Sequence, residues 1–251
     1  MPALHSLEPV RARSRIGLWS LLAVFAAAML LRVALIALTP ASNSLIDLDI
    51  YRHGGKLIAA GVNPYDFADN VQLREKLRTS EATFDPWVCA SLERWNYFAS
   101  SNLPLSLLFY GLVEVVHDSP VAYRLAFALG DSLLSVVVFV FVFSLWPKAI
   151  PARRKVLVSA GLGMLSPYLI VWGGMIPEEK GIQTMLMLLA VLLARSENRV
   201  ARVYGSGMFL GAAIAFKLLG VFLVPACVYF VARRPGEPLD RRSLRDALGH
   251  L

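Results

Sequence analysis

Two aspartates near the amino end of the chain have the residue type and the spacing that suit acid–base chemistry. Asp47, Tyr51 and Gly55 follow one another at intervals of four residues, so on a helix they share one face. Asp49 lies about 200° around the helix from Asp47, so only one of the two acids can face a given cavity well. A carboxylate beside a low-dielectric wall is a suitable general base for an acceptor hydroxyl, which typically accelerates a reaction about 10²- to 10⁴-fold. We predict Asp47 as the base and Asp49 as the second candidate; the simpler interpretation is that both cap and solubilise an interfacial helix.

Three basic residues in or beside apolar stretches are candidate ligands for an anion. Lys217 lies within the apolar residues 212–224, where a lysine costs roughly 3 kcal/mol at the membrane centre unless it faces a polar cavity or a partner. Lys180 and Arg124 lie near predicted water boundaries. For these residues the alternative is a long side chain that reaches from a helix end to the membrane surface.

Arg32 and Asp131 are charged residues inside two long apolar segments. At a helical rise of about 1.5 Å per residue they lie about 10 and 16 Å below the outer ends of their helices, and these similar depths permit an ion pair. We predict a structural clamp between the two helices. The functional alternative is that Arg32 binds a phosphate.

Glu178 and Glu179 occupy a short loop on the predicted outer side of the membrane. Together with Asp47 or Asp49 they would supply oxygen ligands of the kind that divalent cations prefer. No histidine or further carboxylate is spaced as a ligand, so no metal site is predicted. A divalent cation at these residues is kept as an alternative.

The composition predicts that membrane helices position these residues. Of the 251 residues, 57% are hydrophobic and only 17% charged, with a mean hydropathy of +0.57, which is too apolar for an ordinary soluble domain. The net charge of +7 would suit nucleic acid, but the basic residues gather at span ends, which is typical of membrane topology. We predict an all-α polytopic transmembrane helix bundle of about six spans that binds membrane lipids and no nucleic acid.

The first span is predicted at residues 16–39, with its basic flank on the amino side, so the amino terminus should be cytoplasmic. A cleaved signal peptide is the alternative for this segment. Residues 40–120 then form an extracytoplasmic loop with helices on the outer surface. Within it, residues 45–60 are predicted to form a helix broken only at Gly54-Gly55. Residues 103–116 are too short to cross and are predicted to be interfacial or re-entrant.

The same loop carries Trp87, Trp95 and Tyr97, which are typical of membrane-interface anchors, with stacking on sugars as the alternative. The remaining transmembrane helices are predicted within residues 121–232. The individual spans are expected at 121–146, 156–172 and 182–194.

If the last apolar segment, residues 203–232, crossed the membrane only once, the basic residues Arg233 and Arg234 that follow it would lie on the outer side. We therefore predict two short helices that meet at Lys217, since a broken helix is tolerated where the break lines a cavity. Residues 233–251 form a cytoplasmic tail. Its amphipathic end, residues 242–251, suggests that the fold continues beyond it.

The aspartates belong to a longer pattern that resembles a known family. Asp47-x-x-x-Tyr51-x-x-x-Gly55, followed by Gly61-x-Asn63-Pro64-Tyr65, resembles the first external loop of polyprenol-phosphate-mannose-dependent mannosyltransferases, which belong to the GT-C glycosyltransferases. The Asp-x-x-x-Tyr core also resembles that of aminoarabinose and protein O-mannosyl transferases. Further elements occur in the order found there: Ser166-Pro167, Glu178 and Phe216-Lys217.

This resemblance implies a GT-C-like bundle and an inverting transfer of a sugar, mannose or a related one. The donor would be a polyprenyl-phosphate sugar, and the acceptor a hydroxyl of a glycan or lipid at the extracytoplasmic face of a plasma membrane, in bacteria the inner membrane. Asp47 would be the base, and Asp49 is the second choice, as a metal ligand, an acceptor contact or part of the helix surface. The donor phosphate would contact Lys217, Lys180, Arg124 and Arg32. The substrates would contact Tyr51, Asn63, Tyr65 and Glu178.

Two other functions stay open from the sequence. A lipid or sugar transporter would also have broken helices and intramembrane charges, but it predicts two halves of matching hydropathy, which the sequence lacks. A non-catalytic, truncated GT-C module is the second alternative. No Gly-rich phosphate loop follows a strand in the sequence, so a nucleotide sugar is not predicted as the donor.

Overall fold

The computed structural model describes residues 16–39, 46–59, 61, 65, 102–146, 149–167, 170 and 178–232. Every regular element within these ranges is a helix, which confirms the all-α prediction. The predictions that fall outside the described residues concern Asn63, Trp87, Trp95, Tyr97, the tail 233–251 and the side chains of Asp47 and Asp49.

The described helices follow one another as α1 Leu18–Leu38, α2 Ile46–Ala59, α3 Pro104–Val116, α4 Pro120–Leu145, α5 Ala152–Ser159, α6 Lys180–Ala194, α7 Ser206–Phe216 and α8 Val224–Ala232. Three tighter or wider turns complete them. A π-helical turn, Ala160–Met164, prolongs α5; another, Ala201–Gly205, leads into α7; and a 3₁₀ segment, Leu218–Leu223, leads into α8.

Among the described helices, α1 with 21 residues and α4 with 26 are long and apolar enough to cross a membrane. Both were predicted within a few residues. Helix α3 has 13 residues, about 20 Å at the helical rise, against a hydrocarbon core of about 30 Å. It fits the predicted interfacial element better than a span. Helix α1 exposes large apolar side chains such as Trp19 and Leu30 but buries Arg32.

Four helix pairs make the main contacts: α1 with α4, α2 with α3, α4 with α6, and α6 with α7. Among the described residues, the largest buried apolar cluster joins α2, α3 and α4, and consists of Leu48, Tyr51, Leu107, Tyr110, Val113, Tyr123 and Phe127. A smaller cluster joins α6, α7 and α8 through Ala190, Leu210 and Cys227. Helix α6 therefore lies between the α2–α3–α4 group and the carboxyl-terminal helices.

Local signals set the hairpin of α3 and α4. Pro104 and Pro120 stand at the first helical positions, where a missing N–H costs nothing. Ser119 caps α4, because its Oγ accepts a hydrogen bond from the N–H of Ala122 at 3.1 Å. Only residues 117–119 separate the two helices, so their facing ends are neighbours in space.

The predicted helix break at Gly54-Gly55 is wrong, because α2 runs through both glycines without interruption. These glycines allow close packing instead. A β-carbon on Gly55 would lie 2.2 Å from the hydroxyl of Tyr123 and 2.7 Å from the carbonyl oxygen of Tyr110. A β-carbon on Gly54 would lie 2.8 Å from a methyl carbon of Leu107. The partner helices lie far away in sequence, so the pattern of α2 alone could not distinguish a packing glycine from a breaker.

The predicted single span at residues 156–172 is divided. Helix α5 and its π-helical turn end at Met164, and the helical conformation is interrupted at Leu165 and Ser166. Ser166 precedes Pro167, and the residue before a proline is driven away from the helical region by a steric clash. In this last turn the carbonyl oxygen of Gly163 accepts hydrogen bonds from Arg32 on α1 at 3.2 Å and from Ser135 on α4 at 2.8 Å.

Candidate functional site

The first turn of α6 holds the chain at Lys217 by both its side chain and its main chain. Helix α7 ends before Lys217, which is extended with φ −159° and ψ 137°, so the predicted break at Lys217 is confirmed. Nζ of Lys217 lies 2.5 Å from Oε1 of Glu179. Nε2 of Gln183 donates a hydrogen bond to the carbonyl oxygen of Lys217 at 3.0 Å. Because Glu179 and Gln183 are four residues apart, one face of the helix makes both contacts.

The main-chain groups of the break also have partners. The N–H of Lys217 donates to the carbonyl oxygen of Ala213 at 3.0 Å, and the N–H of Gly220 donates to the carbonyl oxygen of Lys217 at 3.3 Å. An unsatisfied buried polar group costs about 1–3 kcal/mol, and a break at membrane depth is tolerated only where protein or a cavity satisfies it. The break is therefore a stable feature that fixes the position of the lysine.

The charges of this pair suit the helix ends that carry them. Lys217 follows the carboxyl end of α7 and Glu179 precedes the amino end of α6, where helix dipoles favour a cation and an anion respectively. The Glu179 side chain is 4% exposed, whereas that of Lys217 is 39% exposed. An ammonium group has three N–H donors, and the described residues use one of them. Lys217 thus offers a partly accessible, fixed positive charge.

A second ion pair lies on the same turn, between Nζ of Lys180 and Oε2 of Glu178. Both Glu178 and Glu179 are buried. Within the described part of the chain, no group of three or more His, Cys, Asp and Glu side chains could hold a metal ion. The alternative that adds Asp47 or Asp49 to these glutamates involves side chains outside the description.

The predicted ion pair between α1 and α4 is present. Nε of Arg32 lies 3.8 Å from Oδ2 of Asp131, and both side chains are 1% exposed. Arg32 also donates to the carbonyl oxygens of Ala28 at 3.1 Å and Gly163 at 3.2 Å, the latter from the π-helical turn after α5. Because protein groups surround the guanidinium, this geometry favours the structural clamp over the phosphate contact for Arg32.

The clamp extends to α6 through a close helix crossing. Oδ1 of Asp131 packs so tightly on Gly181 that a β-carbon there would lie 1.5 Å from it. A β-carbon on Gly130 would likewise lie 2.3 Å from Cγ1 of Ile182. The turn that carries Glu179 therefore packs against α4 at two glycines, where an added β-carbon would displace the side chain of Asp131 or Ile182.

Arg124 lies about two helical turns before Asp131 on α4. Its Nη1 donates to the carbonyl oxygen of Thr39, at the end of α1, at 2.9 Å. The side chain is buried, and its Nε and Nη2 have no hydrogen-bond partner among the described residues. Unused guanidinium donors suit an anion, so Arg124 stays a predicted phosphate ligand, although no described contact joins it to Lys217.

A row of aromatic rings connects α2 with the break. The ring of Tyr51 on α2 lies 5.6 Å from that of Phe127 on α4, centroid to centroid. Phe109 on α3 lies 5.9 Å from Phe127 and 5.9 Å from Phe216, the last residue of α7. We call Tyr51, Phe127, Phe109 and Phe216 the aromatic wall. Because Lys217 directly follows Phe216, the wall sets the spatial relation between α2 and the fixed cation.

The residues of the Asp-x-x-x-Tyr motif on α2 and Tyr65 in the loop after it have different surroundings. Tyr51 is buried and stacks on Tyr110 with ring centroids 4.8 Å apart, which favours a role in positioning α2 over direct contact with substrate. Asp47 lies four residues earlier in the same helix. The hydroxyl of Tyr65 donates to the carbonyl oxygen of Asn102 and so ties the end of the motif to the start of α3.

A second charged cluster, not predicted from the sequence, joins α2 to the α3–α4 hairpin. Oδ1 of Asp118 lies 3.0 Å from Nη2 of Arg52, and its Oδ2 lies 2.5 Å from Nζ of Lys56. The hydroxyl of Tyr123 lies 3.0 Å from Oε1 of the buried Glu114. We call these five residues the hairpin cluster. Its signal in the sequence was a pair of basic residues four positions apart, Arg52 and Lys56, and a pair of acidic residues four positions apart, Glu114 and Asp118.

The two acids of the hairpin cluster have opposite pKa shifts. Burial, with a hydrogen bond to Asp118, raises the pKa of Glu114 to about 7. Burial also opposes ionisation of Asp118, but hydrogen bonds with Lys56, Arg52 and Glu114 outweigh it and lower its pKa to about 2. Near neutral pH, Asp118 is therefore ionised and paired with two cations, while Glu114 titrates.

Comparisons of the chain with protein-family models, with curated proteins and with solved structures find no significant match. The resemblance to GT-C glycosyltransferases therefore stays a prediction that rests on the residues of the motif.

Proposed function

We propose that the chain is a membrane glycosyltransferase that moves a sugar from a polyprenyl-phosphate donor to an acceptor hydroxyl at the extracytoplasmic face. The observation that carries this proposal is Lys217, whose ammonium group is held by Glu179 at a break between two apolar helices. The break lies at one end of the aromatic wall, and α2 with Asp47 lies at the other. A fixed cation among apolar helices suits a lipid whose head group is a phosphate.

The proposed reaction is a single displacement. An acceptor oxygen forms a bond to the anomeric carbon of the sugar as the bond from that carbon to the phosphate oxygen breaks, and this inverts the configuration. Asp47 accepts the proton of the acceptor hydroxyl. The electrons of the broken bond leave with the polyprenyl phosphate, whose negative charge rises from one toward two. Lys217 and Arg124 stabilise this charge electrostatically.

The clamp and the aromatic wall support this reaction by positioning. The Arg32–Asp131 pair fixes α6, which carries Glu179 and therefore sets the place of the Lys217 ammonium. The wall fixes α2 relative to the same ammonium. Catalysis by proximity depends on such rigid placement, because reacting atoms must be held about 3–3.5 Å apart.

The helices also support a donor that comes from the membrane. By length and composition α1 and α4 can cross a bilayer, and α3 is short enough to lie at its surface. The basic residues of α5 follow the carboxyl end of α4, which suits a cytoplasmic location there. In this arrangement the amino end of α4, with Arg124 and the α2–α3 pair, lies on the extracytoplasmic side.

The proposal is tested with the purified full chain in lipid nanodiscs and a membrane extract as acceptor. Radiolabelled polyprenyl-phosphate mannose and glucose are compared with nucleotide sugars as donors. We expect transfer from a lipid donor only, and a fall of about 10²- to 10³-fold in Lys217→Gln, as when a charge-stabilising group is removed from an active site. Lys155→Gln is the matched control and should retain the parent rate, because Lys155 lies on α5 and donates to the carbonyl oxygen of Trp146 at the carboxyl end of α4. Transfer from a nucleotide sugar would contradict the proposal. So would a chain that transfers no sugar but moves the lipid donor from one leaflet to the other when it is reconstituted in sealed vesicles.

A further inference from the structure

We infer that Glu179 is a competing counter-ion, which exchanges with the lipid phosphate for the ammonium of Lys217 and so allows the phosphate product to leave. The inference rests on the proposed function, since it assigns the regulation of the same site. Glu179 is a positioning residue here, because it acts on the phosphate only through Lys217.

The geometry of the pair makes the two anions compete. Oε1 of Glu179 lies 2.5 Å from Nζ of Lys217, which is a charge-assisted hydrogen bond. A phosphate that approaches the exposed side of the ammonium shares its charge with this carboxylate. The attraction of the lysine for the phosphate is reduced accordingly, because two anions near one cation also repel each other.

The charge balance of the surrounding turn increases the importance of this competition. Lys217 is neutralised by Glu179, Lys180 by Glu178, and Arg32 by Asp131. The three described ion pairs around the first turn of α6 thus add no net positive charge. A phosphate gains affinity from Lys217 only to the extent that it replaces Glu179.

The exchange is also reversible, because the Glu179 carboxylate returns to Lys217 when the phosphate leaves. Oε2 of Glu179 is buried and has no hydrogen-bond partner among the described residues, so Lys217 is the described group that neutralises this carboxylate. The carbonyl oxygen of Glu179 accepts the N–H of Gln183 at 3.2 Å, which keeps the residue in place at the amino end of α6. After transfer, the product carries more negative charge than the donor and would be retained by an unopposed lysine. The nearby carboxylate offsets that retention.

The test is the binding of polyprenyl phosphate and of uncharged polyprenol to the full chain in nanodiscs, for the parent and Glu179→Gln. Glutamine keeps the shape of the side chain and a hydrogen-bond acceptor but removes the charge. We expect Glu179→Gln to bind polyprenyl phosphate about threefold to tenfold more tightly and polyprenol with unchanged affinity. In turnover assays, inhibition by added polyprenyl phosphate should increase by a similar factor.

Three further variants make the result specific. Glu114→Gln, the same change at a buried glutamate of the hairpin cluster, should leave both affinities at the parent level. The double variant Glu179→Gln/Lys217→Gln should lose the gain, since the effect acts through the lysine. Glu179→Asp keeps the charge on a shorter side chain and should give a smaller gain, which provides a readout if the glutamine variant does not fold.

Phosphate binding that is unchanged or weaker in Glu179→Gln would overturn the inference, and so would a gain that persists without Lys217. The outcome is separable from that of the proposed function. A parent chain that transfers no sugar, but whose phosphate binding tightens in Glu179→Gln, would contradict the glycosyltransferase proposal and support the counter-ion. Sugar transfer with no change in phosphate binding would do the reverse.

Discussion

Lys217 and Gln183 are joined by a hydrogen bond of 3.0 Å from the side-chain amide of Gln183 to the carbonyl oxygen of Lys217. One turn earlier on the same helix, Glu179 holds the ammonium of the same lysine. A single face of α6 thus fixes both the backbone and the charge of a residue at which two apolar helices are broken. This relationship accounts for a lysine in an apolar segment without placing it in lipid.

The amide of Gln183 should contribute to stability as well as to placement. In Gln183→Leu the carbonyl oxygen of Lys217 loses its side-chain donor but keeps the N–H of Gly220 at 3.3 Å, so we expect the free energy of unfolding to fall by about 0.5–1.5 kcal/mol, the net contribution of one hydrogen bond, and the rate of sugar transfer to fall as well. Thermal unfolding in detergent and the transfer assay measure the two effects. Thr184→Ala is the neighbouring control, because the Thr184 hydroxyl donates only to the carbonyl oxygen one turn before it and is exposed. Equal stability of Gln183→Leu and the parent would contradict this role.

Gly55 should tolerate no side chain. In Gly55→Ala the added methyl group would overlap the hydroxyl of Tyr123 and the backbone oxygen of Tyr110, so α2 must move away from α3 and α4. We expect a destabilisation of about 1–3 kcal/mol, typical of overpacking. Gly211→Ala, also within a helix but with open space at the β-carbon, should instead stabilise by about 0.5–1 kcal/mol. The opposite signs are measurable by thermal unfolding, and two changes of the same sign would refute the packing argument.

The hairpin cluster should make stability depend on pH. The folded pKa of Glu114, about 7, is raised from an ordinary value of 4.5. Between these two values the folded chain holds a proton that the unfolded chain has released, so stability falls as pH rises through this window and is level above it. Asp118, whose pKa is lowered to about 2, contributes stability that is lost only when pH falls below its ordinary value.

This dependence is tested by unfolding the parent and Glu114→Gln between pH 5 and 8, chosen to bracket a pKa of about 7. Glutamine stays uncharged, so the parent should become less stable relative to the variant as pH rises. Arg52 and Lys56 on α2, Tyr123 on α4 and Asp118 face Glu114 in both proteins. A constant difference in stability across this range would contradict the raised pKa.

The Arg32–Asp131 clamp should depend on both partners. Replacing either residue alone, as in Arg32→Met or Asp131→Asn, leaves a buried group without its partner and should cost about 3–5 kcal/mol. The double variant should lose less than the sum of the two single variants, because neither unpaired charge remains. Chemical unfolding of the four proteins gives the coupling directly. Strictly additive losses would show that the pair contributes no interaction energy.

The sequence predicted those features that follow from local patterns. The long apolar runs gave α1 and α4, and the basic residues after 203–232 indicated the break at Lys217. The similar depths of Arg32 and Asp131 indicated their pairing. In each case the physical cause, hydropathy or the cost of a buried charge, can be read from residues near one another or from their depth in a helix.

The features that were missed depend on contacts between distant residues. Nothing near Lys217 in the sequence shows that Glu179 is its partner, and the sequence suggested for Glu179 only the alternative of a divalent-cation ligand. Gly55 was interpreted as a helix breaker because its neighbours in α3 and α4 lie far along the chain. The hairpin cluster could not be predicted because its basic pair lies on α2 and its acidic pair at the end of α3 and in the following turn, far along the chain.

The most direct test of the account is the rate of sugar transfer from a radiolabelled polyprenyl-phosphate sugar by the parent, Asp47→Asn and Asp49→Asn. Asparagine keeps the shape of the side chain and removes the base, so we predict a fall of about 10²- to 10⁴-fold in Asp47→Asn. Asp49→Asn is the matched control and should retain most of the parent rate. Transfer that persists in Asp47→Asn, or that no donor supports in a correctly inserted parent chain, would contradict the account.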